Sequence, residues 1–240
     1  MPTIVEHLRK YSDDLGNSIE YDGPEGTAAK VVFRGSNNSL FVDKQAKIGH
    51  LEVNFDCNNA KCVVLGTAAG IGSLKFYIRL GEDGTVHIGN SVTCTGNAFI
   101  SAAEGVTVKI GDDCMLAMGV TLRADDAHPI FDIHSGKRIN PSRDIAIGNH
   151  VWLGQGSAIL GGAVIGDGCV VGTGSVLKSA IPNNCIAAGV PAKVIRKDIA
   201  WERPHLTLSK PYYKADASTV KKSAYWNATI ESTSPDVTDR

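Results

Sequence analysis

From Ile147 to Pro182 an aliphatic residue returns at every sixth position: Ile147, Leu153, Ile159, Ile165, Val171 and Leu177. An α-helix repeats near 3.6 residues and a strand alternates every second one, so this period belongs to neither element alone. Glycine follows the aliphatic residue at positions 148, 154, 166 and 172, and a small residue (Val151, Ser157, Ala163, Cys169 or Ser175) comes four positions after it. Such a repeat predicts a parallel β-helix, a stack of short cornered strands in which each unit buries its aliphatic residue only under the next coil. Three strands make one coil, which places Leu153 beneath Val171 in the core. Glycine supplies corner dihedrals that a β-carbon would resist. The small residue fits beside the corner, where a large side chain would overfill a narrow interior. Ile110, Leu116 and Leu122 carry the same spacing, with Cys114 and Val120 in the small slot, and Ile88, Cys94 and Ile100 give a further coil.

The chain has 240 residues, 43% of them hydrophobic, enough for one elongated solenoid with a single core. A formal net charge of -1 gives no basic footprint for nucleic acid. No apolar run reaches the length of a membrane span, and the start, MPTIVEHLRKYSDDLG, lacks the apolar core of a signal peptide. The expected location is the cytoplasm. Six cysteines fit that compartment. Cys114, Cys169 and Cys94 occupy packing positions and read as buried, reduced thiols. Cys57 and Cys62 have no second pair or adjacent histidine to complete a zinc site, so no metal is expected.

Residues 1–30 read as a lead-in with one short amphipathic helix over residues 3–15, its apolar side formed by Ile4, Val5, Leu8 and Leu15. Residues 31–87 alternate apolar segments with Asn, Gly and Asp punctuation and are expected to form degenerate early coils, making residues 31–200 one β-helix domain. Residues 201–240 carry isolated aromatics (Tyr212, Tyr213, Tyr225, Trp226) and no hexad. They read as a tail, docked on a neighbour.

A solenoid strand is committed to packing, whereas an interruption is free to carry a site. The interruption is residues 123–146, RADDAHPIFDIHSGKRINPSRDIA, which holds two histidines, four aspartates, Lys137, Arg138 and Arg143. His128 lies just past the strand that starts near Leu122, where the scaffold still holds it, and its imidazole is a candidate general base. The bland alternative is an ordinary turn histidine. Trp152 precedes the core residue Leu153, so it points out of the prism. It either packs in an interface between copies or walls a pocket.

His128-Pro129-Ile130 followed by Val151-Trp152-Leu153-Gly154, and the closing segment IPNNCIAAGVPAKVIR over residues 181–196, resemble the hexapeptide-repeat acyltransferases. Within them the chain resembles the sugar O-acetyltransferases, those of capsular polysaccharide and polysialic acid in particular. The resemblance covers roughly residues 86–201 and implies a left-handed β-helix, a homotrimer, acetyl-CoA as donor in a groove between subunits, and direct transfer to a saccharide hydroxyl. It implies catalytic roles for His128 and Trp152. Cofactor contacts carry over to Trp152, Gln155, Thr173, Gly174, Lys178, Ser179, Lys193 and Arg196. Many relatives read Thr-Lys-Asp before Ile-Pro where this chain has Lys178-Ser179-Ala180, which shifts the lysine by one position and puts its contact in doubt.

Other readings stay open: an N-acetyltransferase of the same fold acting on an amino sugar, amino acid or antibiotic; a metal enzyme using His128, His134 and His150; and a catalytically silent scaffold. The loop cations could meet an anionic sugar, although the loop aspartates offset much of their charge.

Overall fold

The computed structural model describes residues 1–24 and 27–229. The hexads form a left-handed parallel β-helix, a triangular prism with three sheets of eight, nine and six strands. Face one carries Leu74–Leu80, Ala98–Ala102, Thr121–Arg123, Ala158–Leu160 and Val176–Leu177 in axial order. Face two carries Thr85–Ile88, Thr107–Ile110, Ile145–Ile147, Val164–Ile165 and Ala180–Ile181. Face three carries Thr93–Cys94, Met115–Leu116, Trp152–Leu153, Val170–Val171, Ile186–Gly189 and Ala192–Arg196. Leu116, Leu153 and Val171 are register partners, all fully buried. The early segments are coils as expected, and parallel stacking begins at Ser18–Glu20 against Ser39–Val42.

Coil length changes along the axis. Ile78, Ile100 and Leu122 are stacked partners 22 positions apart, whereas Leu153 and Val171 are 18 apart. The excess lies at the corner between faces one and two, where Ala103, Glu104, Gly105 and Val106 connect two strands. The long loop enters at that same corner. Opposite it, the corner between faces two and three is regular and polar. Side-chain oxygens of Asp112, Asn149, Asp167 and Asn183 accept the backbone N–H groups of Asn90 (2.6 Å), Asp112 (2.8 Å), Asn149 (2.6 Å) and Asp167 (2.9 Å) one coil away. The residues that follow (Ser91, Asp113, His150, Gly168 and Asn184) all take left-handed dihedrals, with φ between 51° and 67°. Asn and Asp tolerate this conformation through local hydrogen bonds.

The expected helix over residues 3–15 is not formed. Thr3–Glu6 pairs antiparallel with Lys30–Phe33, and Tyr11–Ser12 pairs antiparallel with Ser18–Glu20. Val5 and Leu8 are 1% exposed but Ile4 is 52% and Leu15 59% exposed, so the apolar spacing that imitates a helix supplies only two core contacts. An open prism end presents a strand edge, and pairing that edge satisfies its backbone. Of the expected tail, residues 230–240 lie outside the described residues; in the described part Trp201, Arg203, Tyr225 and Thr229 bond the chain's own prism, and the only helix there is the 3-10 turn Ala224–Asn227.

Six free cysteines line the prism, and burial pushes the thiols of Cys62, Cys94, Cys114 and Cys169 up to about 12, away from reactivity at neutral pH. Truncating a stacked core residue leaves a void that rigid neighbouring coils fill poorly. Leu153→Ala is therefore expected to destabilise the protein by about 2–5 kcal/mol, read as a lowered midpoint in chemical denaturation.

Candidate active site

The loop leaves face one after Arg123 and rejoins face two at Ile145, and its two stems converge on Gly161 and Gly162. Gly161 donates its N–H to the Arg123 carbonyl and Gly162 to that of Asp144, both at 2.8 Å. A β-carbon on Gly161 would lie 2.9 Å from the Ala124 carbonyl oxygen, so glycine is required where the stems meet. Beyond the stems the segment folds on itself. Phe131 and Arg138 bridge antiparallel, and Asp132 Oδ1 caps the turn through the N–H groups of His134 and Ser135.

Three clamps hold the backbone around His128. Asp125 is buried and accepts from Arg79 Nη2 and Ser101 Oγ, each at 2.5 Å, and from the Ala127 N–H at 3.0 Å. Asn140 Nδ2 donates to the His128 carbonyl (2.9 Å) and to Asp126 Oδ2 (3.0 Å), while its Oδ1 accepts the Ile130 N–H (2.6 Å). Glu104, on the extended corner one coil below, accepts from the Arg138 guanidinium and the Ser142 hydroxyl. These partners, Arg138 first, hold the Glu104 carboxyl down at about 2. The imidazole of His128 is exposed and makes no hydrogen bond among the described residues. The two carboxylates just before it in the chain, Asp125 and Asp126, are bonded to other partners. At the root of the loop lies a polar cleft of about 100 Å³ lined by Arg123, Arg143 and Lys178 together with Asp125 and Asp126. None of these three cations forms an ion pair with a described residue, whereas Arg138 is spent on Glu104.

Trp152 faces outward from face three and is 38% exposed. It shares a register column with Val170, Ile186 and Arg196, which sets Arg196 about 14 Å along the axis by the spacing of strands. Three positions would normally put Lys193 and Arg196 on opposite sides of a strand. A β-bulge changes this: Lys193 pairs with Ala188, Val194 with the core residue Ala187, and Arg196 with Ile186, leaving Ile195 as the extra residue. Both cations therefore face outward with Trp152. Gln155, Thr173 and Gly174 are exposed on the corner between faces three and one, where the Gly174 N–H bonds the Gln155 carbonyl at 2.8 Å. Lys178 and Ser179 instead sit at the loop corner. The candidate residues thus form two groups on opposite sides of one prism: His128, Lys178 and Ser179 at the loop corner, and Trp152, Gln155, Thr173, Gly174, Lys193 and Arg196 on or beside face three.

His150, considered as a metal ligand, is buried with Nδ1 2.6 Å from Asp113 Oδ2 and Nε2 2.9 Å from the Trp201 carbonyl oxygen. Its ring is committed to the packing of the C-terminal segment. Among the described residues no three His, Cys, Asp or Glu side chains gather as a metal site. The supports Asn140, Glu104, Arg79 and Ser101 carry no motif. The one hint is that Glu104 occupies the four residues by which the early coils exceed the later ones.

The bacterial transferase hexapeptide model (six repeats) matches residues 144–179, and the hexapeptide repeat of succinyl-transferase matches residues 85–124. A polysialic acid O-acetyltransferase of Neisseria meningitidis is 38% identical over 80% of this chain and 89% of its own length. One from Escherichia coli O1:K1 is 48% identical over 46% of this chain, a match that spans only 36% of that relative. The crystal structure of the polySia-specific acetyltransferase NeuO superposes with a TM-score of 0.69 at 32% identity, covering 82% of this chain and 95% of that one. With its hexad prism, interrupting loop and these relatives, the chain belongs to the hexapeptide-repeat acyltransferase family.

Proposed function

We propose that the protein transfers acetyl from acetyl-CoA directly to a hydroxyl of an anionic saccharide polymer, a sialic acid polymer or related capsular polysaccharide, with His128 as general base. The observation that carries this reading is the free imidazole of His128 on a backbone clamped by Asp125, Asn140 and Glu104, in the same loop whose root forms a cleft with three cations outside any ion pair among the described residues. The named acceptor of the meningococcal relative and of NeuO supports the same class.

In this mechanism His128 accepts the acceptor hydroxyl proton as the oxygen attacks the thioester carbonyl, forming the C–O bond. Collapse of the tetrahedral intermediate breaks the C–S bond, and the imidazolium returns the proton to the leaving thiolate. No acyl-enzyme forms. Arg123, Arg143 and Lys178 meet sugar carboxylates, for which guanidinium offers two parallel donors. Lys193 and Arg196 meet the coenzyme phosphates, with the pantetheine arm running along face three toward Trp152 past Gln155, Thr173 and Gly174. His128 and Trp152 lie on opposite sides of one prism, so they complete a site only across a boundary between copies, which the homotrimer supplies. We infer a cytoplasmic location, a reading that six free cysteines and a coenzyme A donor support.

Thiol release from acetyl-CoA with polysialic acid, neutral oligosaccharides, amino sugars and serine as acceptors tests the reading. Release that depends on the anionic polymer, giving alkali-labile ester, is the expected result; release only with an amine acceptor would overturn it. His128→Ala is expected to keep coenzyme binding while lowering turnover about a hundredfold or more. Removing Lys193 and Arg196 together should raise the Michaelis constant for acetyl-CoA more than that for acceptor, and equal effects would contradict the phosphate role. The Glu104 carboxyl lies below its ordinary 4.5, so the clasp is complete above that pH and is lost only as pH falls through about 2. Turnover lost between pH 7 and 5 is therefore expected to leave the loop equally resistant to limited proteolysis, whereas Glu104→Gln should speed cleavage within residues 124–144 at neutral pH.

A further inference from the structure

The chain beyond the last strand returns to the corner between faces two and three and closes over it. Arg203 anchors the return: its Nε donates to Asp113 Oδ1, Nη1 to Thr93 Oγ1 (2.9 Å), and Nη2 to the carbonyls of Ser91 and Cys114 (2.9 Å each). The His150 ring is stacked between Trp201 (centroids 4.1 Å apart, 14° between planes) and Tyr225 (4.7 Å, 4°). Trp201 is also tied by its Nε1–H to the His150 carbonyl at 3.0 Å. Asn184 fixes the far arm by donating to the carbonyls of Ile199 and Tyr225 and accepting from Thr229.

Both His150 nitrogens face oxygen acceptors, so the stack is bound at its edges as well as its faces. Asp113 bridges His150 and Arg203; its burial raises the carboxyl, but these two partners lower it further, so it stays ionised. The result is a rigid block whose outer edge is Trp201. That edge meets one residue of the proposed site: Trp152 lies against it with centroids 5.9 Å apart and planes tilted at 48°.

We propose that Trp201 is a positioning residue for acyl transfer, holding the Trp152 indole in the one orientation that walls the thioester site. The inference rests on the assignment of Trp152 made above. A half-exposed indole on a flat strand has open space on several sides, and restricting it to one rotamer beforehand removes that ordering from the cost of reaching the transition state. Trp201 touches neither donor nor acceptor in this arrangement. Its effect passes entirely through Trp152.

The test is steady-state thiol release with polysialic acid on the full chain carrying Trp152→Ala, Trp201→Leu, Trp201→Phe and the double substitution Trp152→Ala with Trp201→Leu, beside coenzyme A binding by calorimetry. Leucine and phenylalanine keep apolar bulk beneath the segment, so folding is retained. Trp201→Leu is expected to lower turnover about tenfold, Trp201→Phe to restore most of it, and the double variant to be no slower than Trp152→Ala alone. A Trp201→Leu enzyme with full turnover, beside an impaired Trp152→Ala, would overturn the inference and leave the site reading intact. Losses that multiply in the double variant would also overturn it, since Trp201 would then act independently. Full turnover in Trp152→Ala would remove the wall assignment itself and the inference with it.

Discussion

A coil of this prism has no interior of its own. Leu153 is buried only because Leu116 lies below it and Val171 above, and every other feature inherits its position from that vertical register. The hydrophobic term is nondirectional and would tolerate sliding. The polar corner between faces two and three does not: Asp112, Asn149, Asp167 and Asn183 each bond the backbone of the adjacent coil, so a slip would break all four hydrogen bonds at once. Burial thus supplies most of the stabilisation and the corner ladder the alignment.

Stacking leaves two open ends, and the chain closes them differently. At the start, antiparallel strands cover the first coil's edge. At the finish, Ala192–Arg196 doubles back on Ile186–Gly189, Val194 packs on the last core layer, and the following residues descend the polar corner as far as the coil of Ser91 and Thr93. The second closure spans several coils. It ties the terminal layer, where Lys193 and Arg196 face outward, to the layer of Trp152, and so couples stability of the finish to the geometry of face three.

The central coils were legible because hexad spacing coincides with strand length there: Ile147 through Leu177 announce both core and corner. The earlier coils are harder to read because the extra residues around Glu104 break the count once per turn. Ile4, Val5, Leu8 and Leu15 imitate a helix face, yet the edge they cover demands a strand, and tertiary need overrode the local pattern. His128 was legible as an interruption, while its supports were not, since Asn140 and Glu104 act through hydrogen bonds that any loop could carry. Lys193 and Arg196 share a face only because of the bulge at Ile195, which no spacing rule foretells. Trp201, Arg203 and Tyr225 contact residues far away in sequence and belong to no period, so their docking was invisible.

Face two resumes at Ile145 in register with Val108 and Val164's coil, whatever separates it from Leu122. The corner between faces one and two therefore behaves as a cassette: four residues in the early coils, a long arm in the middle, none to spare afterwards. The prism counts strands rather than residues. If the proposed function holds, acceptor recognition falls to this corner, and exchanging the arm between Arg123 and Ile145 would rewrite it while face three and the stack that holds it stay unchanged.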